Sequence, residues 1–404
     1  MKILVIFCLL SPFAVINSQT NDGSAEYVQP ENKQDQFEWK LTKEALKSQH
    51  NNVLISPLSA KFLLTLLSEA AGMTIDSKTR KELDQVLPQS RNLQAAKVYF
   101  KTILDSIQSS NDAYHVNFAN RIFVDKIVNI NQRFGATLEH FYNTKIVNSD
   151  LSDAAGSAQI INNWVKESTN GKIGDLVSDS AIQNSIMVIM SALNFEGTWK
   201  FPFNTIVLRD FLTAPGVQIS KEFMEVTESF YSCNSQSLNA KIIRLPYEGK
   251  KFSMFIILPN IVNGIDAVVE KLDSNILNNE ACQMEKSETH VVIPKFKFDA
   301  SFSLNDVTRA IGINEIFESS ATFPLFARGG GSQGKLKVSN IIQRLGVIVD
   351  EKGVVANSAI GVEHVIKFGG EQKEFIADHP FVFYIEDDTT GSKLFAGRVS
   401  DPDY

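Results

Sequence analysis

One place in this chain holds residues whose types and spacing suit acyl-transfer chemistry. Gly330-Gly331-Ser332-Gln333-Gly334 satisfies the G-x-S-x-G spacing of a serine nucleophile, with His364 and His379 downstream in the order a triad requires. A nucleophile elbow needs an apolar strand before the serine and a helix after it. Here FARGG precedes and the strand-like KLKVSN follows, so the run GGGSQG reads as a surface loop.

Little else in the chain points to catalysis. The six histidines carry no other catalytic spacing, and neither a phosphate-cradling glycine loop nor a dinucleotide fingerprint occurs. Without Cys-x-x-Cys or His-x-x-x-His spacing, no metal or cofactor is expected. The net charge of -7 argues against nucleic acid as a partner, because phosphate binding needs clustered Lys and Arg. Lys97 and Lys101 read as the solvated face of a helix. Of three cysteines, Cys8 lies in the leader described next, which leaves Cys233 and Cys282 either to pair or to stay as free thiols.

The chain opens on Met1-Lys2, the apolar run ILVIFCLLSPFAV and the small, polar INSQ. These are the parts of a secretory signal, with the cut expected after Ser18, so the sequence predicts a secreted, extracellular protein. The run falls short of the roughly 20 apolar residues that span a bilayer, so no membrane partner is expected. No Asn-x-Ser/Thr sequon is present, and residues 19–34 read as a flexible extension.

After it, Ser56-Pro57 opens a helix that closes at Gly72. INNWVKESTNGKIG reads as a helix running into a glycine turn, and SIMVIMSALNFEGTWKFPF as a strand buried on both faces. KFSMFIILP and THVVIPKFKFDA read as further strands. Helices dominate the first half and strands the second, an order that suits an α+β fold with one shared core.

Near the C-terminus two apolar, strand-like segments, RLGVIVDE and HPFVFYIED, flank KGVVANSAIGVEHVIKFGGEQKEFIAD. Loops beyond about 15 residues without structure of their own are usually functional or disordered. Alternate positions Val354, Ala356, Ser358, Ile360 and Val362 are small or apolar, while Asn357 and Glu363 fall in the other set. Such a segment can be a solvated loop in one state and a strand with one buried face in another.

From residue 35 to 404 the chain resembles the serpin family. The resemblance rests on motifs in order, among them Ser56-Pro57 with Ser59, Asn163-Trp164-Val165 with Gly171-Lys172-Ile173, Phe195 with Gly197 and Trp199, Leu245-Pro246-Tyr247, Pro294-Lys295-Phe296, Asp350-Glu351-Lys352-Gly353, and Ala377-Asp378-His379-Pro380-Phe381. It implies one domain of three β-sheets and eight to nine helices, with an exposed reactive-centre loop at about 353–375. It implies a monomeric serine protease inhibitor, not an enzyme. The target cuts the loop as a substrate, and the cut loop inserts into the main sheet while the acyl-enzyme persists.

On that pattern the hinge comprises Glu351, Gly353, Val354, Ala356, Ser358 and Ile360, and the residue fourteen beyond Gly353 is Lys367, followed by Phe368, so the resemblance implies Lys367-Phe368 as the bait bond, whose lysine suits the acidic specificity pocket of a trypsin-like protease. Val354 and Ile360 are larger than the family's usual residues, and β-branched bulk there slows insertion. The family's shutter of Ser, Asn and His maps to Ser56, Ser191 and Gln343. A Gln can donate and accept, which allows a Ser56–Ser191–Gln343 network with no titrating group. Lys-Phe-Gly is similar to the Arg-Phe-Gly activation sites of insect prophenoloxidases. The bait thereby resembles that of secreted insect serpins of the mosquito serpin-2 type, which restrain melanisation in hemolymph by blocking clip-domain proteases. A non-inhibitory serpin acting as a binding or carrier protein is the alternative.

Overall fold

The computed structural model describes residues 36–73, 77–87, 92–108, 112–174, 177–327, 336–351 and 373–404. Among them the helices are α1 (Gln36–Ser48), α2 (Pro57–Ala71), α3 (Lys78–Val86), α4 (Leu93–Ile107), α5 (Gln132–Tyr142), α6 (Ala154–Ser168), α7 (Asp179–Ile182), α8 (Ile265–Lys271), α9 (Ser274–Cys282) and α10 (Asn305–Ala310). The strands are β1 (Val53–Ile55), β2 (Tyr114–Asp125), β3 (Thr144–Ser149), β4 (Met187–Gly197), β5 (Thr205–Ala214), β6 (Val217–Ser235), β7 (Ala240–Pro246), β8 (Phe252–Pro259), β9 (Glu285–Pro294), β10 (Phe296–Ser303), β11 (Asn340–Val349), β12 (Lys373–Ile376), β13 (Phe381–Asp387) and β14 (Lys393–Val399).

Local chemistry explains α2. The Ser56 hydroxyl accepts from the Ser59 N–H at 3.2 Å, Pro57 occupies the first turn where its missing N–H costs nothing, and Gly72 ends the helix at φ +64°. Every residue of α2 is buried, so this helix runs through the core instead of along a surface. The unbroken apolar run of β4 is explained by two cores. Met187, Ile189, Leu193 and Phe195 enter the main core, while Val188, Met190 and Ala192 pack under α6 with Ile161, Trp164 and Phe123. Successive side chains of a strand point to opposite faces, and here both faces are covered.

Five strands form one sheet in the order β10-β11-β4-β2-β3, and the others form a nine-stranded sheet. The architecture is the expected α+β. Where the resemblance implies three sheets, the described strands form two, because the 19 residues of β6 pair in turn with β5, β9 and β7. Ten α-helices occur among the described residues, the shortest being the four-residue α7. The strand β2 lies in the helical first half, and its burial alternates along the first eight residues before the last four are buried in a run.

Lys101 lies on the outer face of α4, paired at 3.4 Å with Asp105. Lys97 does not belong to a solvated face. It turns inward to Glu69 at 3.2 Å and lies over the Phe141 ring, because Glu69 is buried on α2 and needs a cation.

Candidate functional site

The five-stranded sheet contains one interior seam unlike its neighbours. β11 and β4 run parallel and pair directly from Asn340↔Val188 to Val347↔Phe195. On either side, β10 pairs with β11 and β2 pairs with β4, both antiparallel. Gly346 sits in this seam opposite Asn194, and a Cβ there would come within 2.6 Å of the Asn194 Oδ1. The glycine therefore makes room for a buried amide between the strands.

The middle of the seam is tied to α2 through one side chain. Gln343 accepts from the Ser56 N–H at 3.0 Å through its Oε1, and its Nε2 donates to the Ser56 carbonyl at 2.7 Å and to the Ser59 hydroxyl at 2.5 Å. Gln343, Ser56 and Ser59 are all fully buried, and the connection spans 287 positions of sequence. An amide suits this position because one group donates and accepts at once. Ser191 stands beside Gln343 in the strand register, yet its hydroxyl makes no bond to Gln343. The expected Ser56–Ser191–Gln343 triad is thus corrected. Ser59, one helical turn on from Ser56 and pointing at the same backbone, takes the third position.

The upper end of the seam is held differently. Past β4, the Trp199 indole stacks on Tyr247 at 4.3 Å and donates through Nε1 to the Asp350 carbonyl at 2.8 Å. Past β11, Glu351 lies 3.0 Å from the Lys295 ammonium, which also lies 3.0 Å from Glu222. Lys295 is only 8% exposed. Its ammonium lies over the Tyr404 ring at 4.6 Å, and the Tyr404 hydroxyl donates to the Asp350 carboxylate at 2.9 Å. Burial alone would lower the Lys295 pKa, but the carboxylates of Glu222 and Glu351 outweigh it and raise the group above its ordinary value. Lys295 and Trp199 belong to motifs legible in the sequence, whereas Tyr404 carried no signal beyond being an aromatic residue after two acids.

Of the expected hinge, Glu351 is placed as described, while Gly353, Val354, Ala356, Ser358 and Ile360 lie outside the described residues, as does the bond Lys367-Phe368. So do Ser332, His364 and residues 1–35. His379 can be examined. Its Nδ1 lies 2.7 Å from Asp378, and its Nε2 lies 2.8 Å from the Pro259 carbonyl. A carbonyl only accepts, so Nε2 carries its hydrogen there and ties β13 to β8 instead of serving a serine. Cys233 is a free thiol, half-buried, with its pKa pushed up to about 12 by burial and by Glu280. A thiol held protonated in this way is a poor nucleophile. No helix among the described residues is long and apolar enough to cross a membrane.

Residues 32–402 match the family model described as serpin (serine protease inhibitor). Serine protease inhibitor 2 of Anopheles gambiae is 36% identical over 376 residues, 92% of each chain. Serpin48, described as a highly specific serpin in the insect Tenebrio molitor, superposes with a TM-score of 0.80 at 29% identity, covering 91% of this chain and 96% of that one. Human thyroxine-binding globulin, solved with its hormone, reaches a TM-score of 0.81 at 22% identity over 91% of this chain and 97% of its own, which shows the shared fold alone. The chain belongs to the serpin family, a family of protease inhibitors and not of enzymes.

Proposed function

We propose that this protein is a secreted inhibitor that traps a trypsin-like serine protease by inserting its cut loop between β4 and β11. The observation that carries the proposal is the parallel pairing of those two strands, directly beside the point where the chain leaves β11. A strand that turned back from β11 would run antiparallel to both neighbours. One parallel interface would become two antiparallel ones, and antiparallel pairing is slightly the more stable per residue.

The bait bond in this reading is Lys367-Phe368, with Lys367 entering an acidic specificity pocket. Gly353, Val354, Ala356, Ser358 and Ile360 form the first part of the inserting strand. The likeness to a mosquito inhibitor, together with the Lys-Phe-Gly bait, supports a clip-domain protease of the melanisation cascade as the target and hemolymph as the setting.

Incubation with trypsin tests the proposal. An SDS-stable complex is expected for wild type and its loss for Lys367→Ala. Clean cleavage with no complex and no gain in thermal stability would overturn it in favour of a binding or carrier role.

A further inference from the structure

The residues after β14 pass back across the top of the seam. Asn52 holds the Ser400 and Asp401 N–H groups through its Oδ1, and Lys221 lies 2.8 Å from Asp401 and 2.7 Å from Asp403. The Lys297 N–H donates to the Asp403 carbonyl at 2.6 Å. This anchoring brings Tyr404 against the two residues at which β11 ends its pairing and the loop begins.

Tyr404 makes two contacts there, and they reinforce each other. Its hydroxyl donates to Asp350, whose carbonyl is the partner of Trp199 on the β4 side. Its ring lies 4.6 Å from the Lys295 ammonium, which is also 3.0 Å from the carboxylates of Glu222 and Glu351. A ring in that place keeps water off the ion pair and adds a cation–π attraction, both of which strengthen the hold of Lys295 on Glu351. Asp350 and Glu351 must move if a strand is to enter between β4 and β11.

We propose that Tyr404 is a clasp on the seam, a positioning residue whose hydroxyl holds Asp350 and whose ring covers Lys295, so that it slows the strand separation on which insertion depends. This inference rests on the insertion reading above and adds to it a residue that sets the rate. A protein that inserts too early loses its loop to its own sheet, and one that inserts too late lets the protease hydrolyse the ester. A clasp at the entry point tunes that balance.

The test uses the full chain and a synthetic peptide of residues 354–367, with uptake followed as a band shift on native gels. Urea unfolding rates are measured in parallel. Wild type is expected to take the peptide up slowly, Tyr404→Ala about fivefold to tenfold faster, and Tyr404→Phe between the two, because the ring remains when the hydroxyl is lost. Global unfolding rates should change by much less than uptake. Equal uptake rates in all three proteins overturn the clasp alone, as does a faster uptake matched by an equal rise in global unfolding. Absence of uptake in all three overturns the insertion reading itself and the clasp with it.

Discussion

The middle and the top of the β4–β11 seam are held by different physics. In the middle, Gln343 binds Ser56 and Ser59 through neutral hydrogen bonds among groups with no exposure. At the top, Lys295, Glu351, Asp350 and Tyr404 form an ionic and aromatic cluster whose outermost member, Tyr404, is exposed to solvent. Buried neutral bonds are insensitive to salt and to pH, and breaking one leaves partners that no solvent can satisfy. Partly exposed ion pairs are weaker and respond to both. On the proposed insertion, entry of a strand starts at the end where the loop joins, so the weaker and tunable lock would stand at the entrance and the stronger one behind it.

The largest effect should come from Gln343→Ala. It strands the Ser56 N–H and carbonyl in the core and should cost about 2–3 kcal/mol of stability in urea. The loss should be the same at pH 6 and pH 8; a strong pH dependence would break the contrast between the two locks. Gln343→His should instead acquire a profile that declines on the acid side, because burial disfavours the charged imidazole.

A smaller effect is expected from Trp199→Phe. It keeps an aromatic ring on Tyr247 but removes the donor to the Asp350 carbonyl, for about 1 kcal/mol and faster peptide uptake. Uptake that is unchanged would show that the top does not limit opening.

The smallest effect should be alkaline. The Lys295 pKa is raised by Glu222 and Glu351 against the effect of burial, and the Tyr404 pKa is raised by burial and by the bond to Asp350. Both groups therefore hold their protons more tightly in the folded state. Their contribution is complete below the ordinary values near 10 and fades as pH rises through the raised ones. Peptide uptake should accelerate above about pH 10 in wild type and less so in Tyr404→Phe. The change is modest because Tyr404 is 62% exposed.

Much of the fold was legible because its signals are local. Ser56-Pro57 and Gly72 cap α2 within their own turns, and the apolar run of β4 showed that both its faces would be covered. The site was legible only where a family motif marked it, as at Trp199, Lys295 and Glu351. The meeting of Ser59 with Gln343 has no sequence signal, since the two residues stand 284 positions apart. Ser191 was preferred on alignment, yet its hydroxyl does not reach the amide.

What the sequence by itself determined is the set of parts: the capped helix, the buried strands, the polar residues within them, and a loop whose alternation permits a strand. These follow from capping, periodicity and side-chain volume, which act over a few residues. Only the tertiary structure decided that β4 and β11 would lie parallel with nothing between them along their paired length, that Gln343 would meet Ser56 and Ser59, and that Tyr404 would lie over Lys295. Those are meetings of residues far apart in the chain, and they are set by how whole sheets and helices pack.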